Sequence, residues 1–182
     1  MVTDRGNLAT YIHDHLAGST GALELMGTLD KLLGDRPVGK FIRSLRAEIS
    51  WEREQLEALA AQFPIKSTLV RRAAAWIGEK GLELKLAMDS SSEDDFRLFE
   101  SLEALSVGIA GKRLLWRSLQ RAVAGIPELA GKDFGRLVNM SVRQRRALEP
   151  FRLEAARQAF RDDSADRPSK PPKDKSLAVA RS

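Results

Sequence analysis

Residues 45–59, LRAEISWEREQLEAL, contain a glutamate at a position where the helical pattern predicts leucine. The apolar residues on both sides of it recur at steps of three, four or seven, at Val38, Ile42, Leu45, Ile49, Leu56, Leu59 and Phe63. Such spacing is typical of a helix that packs one face against neighbouring helices. Glu52 completes this track. The pattern therefore predicts a buried helix face that contains one carboxylate.

Helical spacing extends through most of the chain and predicts five helices. Their expected ranges are 7–34, 37–63, 67–92, 93–125 and 133–160. Pro37 and Pro64 bound the second helix, since proline suits a first helical position and disfavours helix at the residue before it. Asp133 is expected to begin the fifth helix and Pro150 to kink it. Long helices with short connections predict an all-α bundle.

The length and composition predict one folded domain and a tail. A chain of 182 residues, of which 43% are hydrophobic, can bury one substantial core. We expect that domain to cover residues 1–161. Residues 162–182 hold three of the seven prolines and many charges, with almost no large apolar residues, so we expect them to form a disordered, charged tail.

The composition excludes several classes of site. The chain has no cysteine, so it can form neither a disulfide framework, nor a thiolate metal site, nor a cysteine nucleophile. The first residues, MVTDRGNLATYIHDH, do not resemble a signal peptide, and no stretch is long and apolar enough to span a membrane. We therefore expect a soluble, cytoplasmic protein that does not contact membranes. The formal charge of +5 comes from well-mixed acids and bases, which makes nucleic-acid binding less favoured.

Three other helices also carry a polar residue on the apolar face. His15 interrupts the face of the first helix and Lys112 that of the fourth. The fifth helix has two candidate tracks that share Ser141, one of which includes Arg145 and the other Gln144.

These polar residues are predicted to meet at one depth. If helices one and five run in one direction and helices two and four in the other, they fall within about one to two turns of a common level. A buried carboxylate is very costly unless a cation accompanies it. We therefore predict an ion-pair layer inside the bundle, formed by His15, Glu52, Lys112, Arg145, Ser141 and Gln144.

Small residues are concentrated in the middle of the first helix, at Ala17, Gly18, Ser19, Gly21 and Ala22. Glycine in a helix costs up to about 1 kcal/mol relative to alanine. We interpret these residues as a close approach between helices, in preference to a ligand-binding groove.

The order of hairpin, crossover helix and hairpin resembles the ferritin-like fold. The stretch YIHDHLAGSTGALEL, residues 11–25, is similar to the start of a group of small, uncharacterised bacterial proteins of that fold. The resemblance implies a ferritin-like up-down four-helix bundle with a fifth, crossover helix between the two hairpins. It implies no activity.

The chain departs from the metal-binding members of that fold. Those proteins use a glutamate from each of two helices and a Glu-x-x-His pair from each of the other two. Here both histidines, His13 and His15, lie in the first helix, and Trp51 occupies the position three residues after Glu48. A standard di-iron centre is therefore not expected.

Three functions remain as hypotheses. The leading one is a non-catalytic, self-associating protein, such as a dimer, with an interaction or structural role and no cofactor. The second is a carboxylate-bridged iron or manganese protein, binding or oxidase, with a non-standard site of Glu48, Glu52, Glu103 and His15. The third is a basic nucleic-acid-binding protein that uses Arg136, Arg143, Arg146 and Arg152.

Overall fold

A computed structural model of the protein describes residues 5–64 and 94–161, which form four long helices. These are α1 (Arg5–Leu33), α2 (Pro37–Ala60), α3 (Asp94–Ala122) and α4 (Phe134–Ala159). Two short 3₁₀ turns, Val123–Gly125 and Pro127–Leu129, connect α3 to α4. The described ranges contain no strand, so the all-α prediction is confirmed there. The predicted helix at 67–92 and the predicted tail at 162–182 lie outside the described residues.

The helix ends follow the local chemistry of the sequence. Gly34 ends the first hairpin helix with φ of 54°, a conformation that glycine adopts without steric cost. Pro37 then occupies the start of α2. The carboxylate of Asp133 caps α4 by accepting a hydrogen bond of 2.8 Å from the backbone N–H of Arg136, as expected for an N-terminal cap. The helix α4 continues through Pro150.

The four helices share a core that consists of two clusters. The first core cluster combines the beginning of α1, the end of α2, the end of α3 and the beginning of α4, as at Ile12, Leu59, Trp116 and Phe134. The second core cluster combines the opposite ends of the same helices, as at Leu29, Ile42, Leu102 and Leu148. Helices α1 and α4 therefore run in one direction and α2 and α3 in the other, as predicted.

The described helices have no membrane-spanning character. None of those within residues 5–64 and 94–161 combines the length and the apolar character that a membrane span requires.

Candidate functional site

Glu52 lies in the middle of the bundle and is only 1% exposed. The Nζ of Lys112, on α3, lies 2.7 Å from its Oε2. The same oxygen accepts a hydrogen bond of 3.3 Å from the Nε1 of Trp116, and the other oxygen, Oε1, accepts one of 2.6 Å from the Nε2 of Gln144. The carboxylate thus has a donor from α4 and two donors from α3. We call these four residues the polar cluster.

Gln144, on α4, joins charged residues of two other helices, α2 and α3. Its Oε1 accepts a hydrogen bond of 2.7 Å from the Nζ of Lys112, while its Nε2 also lies 2.9 Å from the Oε2 of Glu48. Glu48 is exposed, so the glutamates four residues apart on α2 divide into an outer and a buried one. The amide therefore completes the hydrogen bonding of the buried pair and links it to the surface.

Burial of Lys112 and Glu52 disfavours their charges, and the attraction between the two charges compensates for this cost. Loss of water around Lys112 lowers the pKa of its ammonium, while the negative charges of Glu52 and Glu48 act in the opposite direction. The side chain of Lys112 keeps 15% exposure, against 1% for Glu52. Water can therefore reach the cation but not the carboxylate, and the carboxylate depends on protein donors alone.

Two predicted members of the ion-pair layer lie elsewhere. Arg145 is exposed, and its Nε lies 3.3 Å from the Oγ of Ser106 at the seam of α3 and α4. The prediction for Arg145 is wrong because Gln144, not Arg145, follows the buried track of α4. His15 is half-buried, and none of the hydrogen bonds among the described residues connects it to Glu52. Ser141 is buried at this track, where its hydroxyl donates to the carbonyl of Leu137.

The hydrogen bond from Trp116 to Glu52 was not among the predictions from the sequence. The signal was present in the spacing, since Lys112 and Trp116 are four residues apart and share a helix face. The ring stacks on Phe134 at a centroid distance of 6.2 Å, which leaves the N–H free to point at the carboxylate.

An open groove of about 680 Å³ lies between α1 and α3, and three residues of the polar cluster, Glu52, Lys112 and Trp116, form part of its floor. We call it the α1–α3 groove. Its walls carry small residues, among them Gly18 on α1 and Gly108 and Gly111 on α3. A Cβ atom added at any of these three glycines would meet no atom within 4 Å. The predicted close approach of helices is therefore wrong at Gly18 within the described residues, because the small side chains there border open space.

The rest of the groove lining is mostly apolar. Leu25, Ile49 and Ile109 line it towards the second core cluster, and Tyr11 and Leu115 towards the first. His15 lies on the wall with its ring edge-on to Tyr11, at a centroid distance of 4.8 Å. Burial lowers the pKa of His15, against the opposing charge of Asp14, and so favours the neutral imidazole.

Arg53 fastens the two helices of the first hairpin at the rim of the groove. One guanidinium nitrogen lies 3.2 Å from the carbonyl oxygen of Leu16, 2.8 Å from the Oγ of Ser19 and 2.7 Å from the Oγ1 of Thr20. These contacts fix one wall of the groove relative to Glu52, which precedes Arg53 on α2.

The four residues of the metal hypothesis do not form one site. Glu103 is half exposed and lies 3.4 Å from Arg152, on the outer side of α3. Both oxygens of Glu52 accept hydrogen bonds within the polar cluster, and His15 lines the groove. Among the residues that the structure describes, no group of three histidine, aspartate or glutamate side chains is placed to hold a metal ion.

The four arginines of the nucleic-acid hypothesis all lie on α4, but their environments differ. Arg136 lies over the ring of Trp51, with its guanidinium carbon 5.2 Å from the ring centroid. Arg152 lies 2.6 Å from Glu149, so its charge is largely neutralised. Arg143 and Arg146 are exposed. The basic surface is therefore interrupted by aromatic and acidic partners.

Comparison of the chain with known protein families, with curated proteins and with solved structures gives no match. The class of this protein is therefore defined from its fold and its site alone. Residues 5–64 and 94–161 form an all-helical fold with a buried Glu52–Lys112 ion pair beside an open groove.

Proposed function

We propose that this protein is a non-catalytic binding protein with the ferritin-like arrangement, in which the polar cluster occupies the interior position where metal-binding members of that fold hold their ions. The observation that carries this proposal is the contact of 2.7 Å between Lys112 and the buried Glu52. The ammonium supplies the positive charge that a metal ion supplies to carboxylates in those proteins.

The helix directions support the ferritin-like part of the proposal. The helix α2 ends in the first core cluster, whereas α3 begins in the second. The end of α2 and the beginning of α3 therefore lie at opposite ends of the bundle. A crossover helix, which the sequence predicts at 67–92, would make this connection between the two hairpins.

The chemistry of the polar cluster supports a role without catalysis. Both oxygens of Glu52 already accept hydrogen bonds, and Lys112 is held by Glu52 and Gln144. A general acid or base must be able to exchange a proton with a bound substrate. The carboxylate of Glu52 lacks that freedom because each of its oxygens is engaged by a fixed donor.

Metal analysis tests the proposal directly. The full chain is expressed in cells supplied with iron and manganese, purified without chelators, and measured for metal content. We expect no stoichiometric metal in the wild type. One or two ions per chain would overturn the proposal and favour the carboxylate metal protein. The variant Lys112→Met serves as a comparison, since it removes the cation that competes with a metal ion.

The proposal includes self-association through the outer face of α3. Val107 and Leu114 are seven residues apart, so they share this face, and they are 68% and 59% exposed. Native mass spectrometry at micromolar concentration is expected to detect an oligomer that Leu114→Lys weakens. A wild-type protein that stays monomeric would remove this part of the proposal.

A further inference from the structure

The α1–α3 groove has the size and shape of a small-molecule site. Its volume of about 680 Å³ lies within the range of roughly 300–1,000 Å³ that is usual for ligand pockets. Its lining extends along α1 from Tyr11 to Leu25, a length of about 21 Å at 1.5 Å per residue. The groove therefore suits an elongated molecule rather than a compact one.

The lining decides the polarity of such a molecule. Most of the groove lining is apolar. Glu52 and Lys112 lie in its floor, and Asp14 and Arg53 are the other charged residues of the lining. A mainly apolar ligand would remove this lining from water, and each buried CH₂ group is worth about 0.8 kcal/mol. The ligand must also satisfy the floor, because a polar group that loses water without a partner opposes binding.

The polar cluster presents a donor to the groove. The ammonium of Lys112 has three hydrogens, and two acceptors, Glu52 and Gln144, account for two of them. Both oxygens of Glu52 are occupied by donors. The floor thus offers a hydrogen-bond donor, and the ligand has to supply an acceptor.

The charge of the floor favours a neutral acceptor. Lys112 is already balanced by Glu52. A ligand carboxylate would add a second negative charge next to this pair in a largely apolar groove, where an uncompensated charge is costly. A carbonyl or hydroxyl oxygen accepts the hydrogen bond without that cost.

We propose that the α1–α3 groove binds a neutral, elongated and mainly apolar small molecule whose carbonyl or hydroxyl oxygen accepts a hydrogen bond from the ammonium of Lys112. This inference rests on the proposed binding function and names the class of its ligand. The glycines of the walls keep the groove wide enough for such a molecule.

The binding test uses the full chain and fluorescence of Nile red, a neutral dye with a carbonyl group. We expect saturable binding of one dye per chain and displacement by 2-dodecanone. Dodecane lacks the acceptor and dodecanoate adds a charge, so each should displace the dye at least about tenfold more weakly, as expected for one hydrogen bond to a charged group. Equal displacement by all three, or no saturable binding, would overturn the proposal.

A glycine variant tests the location. A Cβ at Gly108 would meet nothing within 4 Å, so Gly108→Leu should fill the groove without disturbing the helices. We expect it to weaken dye binding by more than tenfold while the thermal midpoint stays the same or rises. Gly27→Ala is the matched control, because Gly27 is a helical glycine that lies outside the groove and should leave binding unchanged.

Other occupants predict a different result. If residues 65–93 of the same chain or a second copy fill the groove, Gly108→Leu should lower the thermal midpoint and the wild type should not bind the dye. That result would overturn this inference but leave the proposed function intact, since the metal content is measured separately. Stoichiometric metal would overturn the proposed function whatever the dye does.

Discussion

Removing the carboxylate of Glu52 is expected to destabilise the protein strongly. In Glu52→Ala, the ammonium of Lys112 loses an oxygen at 2.7 Å, and the donors of Gln144 and Trp116 lose theirs at 2.6 and 3.3 Å. Breaking a buried ion pair by removing one partner typically costs about 3–5 kcal/mol. Because Lys112 keeps 15% exposure and can regain some water, we expect the lower part of that range, about 3 kcal/mol.

Equilibrium unfolding in urea measures this loss. With a slope of about 1–3 kcal/mol per molar for a small domain, a loss of about 3 kcal/mol lowers the urea midpoint by roughly 1–3 M. The matched control is Glu154→Ala. Its carboxylate lies 2.6 Å from Arg157 in an exposed pair, and exposed pairs contribute little, so the midpoint should barely change.

A triple variant separates the ion pair from the shape of the core. Replacing the pair and its amide together, as Glu52→Leu, Lys112→Met and Gln144→Leu, leaves no buried charge without a partner. Such replacements are often neutral or stabilising. We therefore expect the triple variant to be more stable than Glu52→Ala. The reasoning is refuted if Glu52→Ala shifts the midpoint no more than Glu154→Ala, or if the triple variant loses as much stability as the sum of its single changes.

The remaining predictions concern histidine, glycine and arginine. The pKa of His15 is lowered below 6.5 in the folded protein, so the unfolded chain binds protons more readily. The free energy of unfolding should therefore fall as pH drops below 6.5. Urea unfolding at pH 7 and pH 5 should show a smaller fall for His15→Gln than for the wild type. Gly18→Ala should raise the thermal midpoint, since its Cβ meets no atom, whereas Gly39→Ala should lower it, since its Cβ clashes with the carbonyl oxygen of Gly34. Arg53→Lys should lower the midpoint, because an ammonium cannot reproduce the planar guanidinium geometry; an unchanged midpoint would mean that these contacts are not rigid.

The helices and the central ion pair could be predicted from the sequence because they depend on periodic signals. Glu52 and Lys112 each interrupt an apolar face, and helix directions place the two interruptions at one level. The choice between Gln144 and Arg145 could not be made in the same way. The two are adjacent, each lies on a plausible track, and only the rotation of α4 against its neighbours selects the amide.

The groove could not be predicted for a different reason. Glycines such as Gly18 and Gly108 are compatible both with close packing and with open space, since the absence of a side chain does not indicate which atoms lie opposite. The distance between α1 and α3 depends on the whole bundle. Only the folded arrangement of the helices shows that a Cβ at either position would meet nothing within 4 Å.

The position of the groove also explains how the polar cluster is arranged. A buried pair is most costly when both ions lose water. Here both ions line the groove, but Glu52 is only 1% exposed whereas Lys112 keeps 15% exposure. The protein supplies the hydrogen-bond donors to the carboxylate, from Lys112, Gln144 and Trp116, while the cation keeps access to water. Any molecule that fills the groove must replace this water with an acceptor, so the same asymmetry that stabilises the pair also selects the ligand.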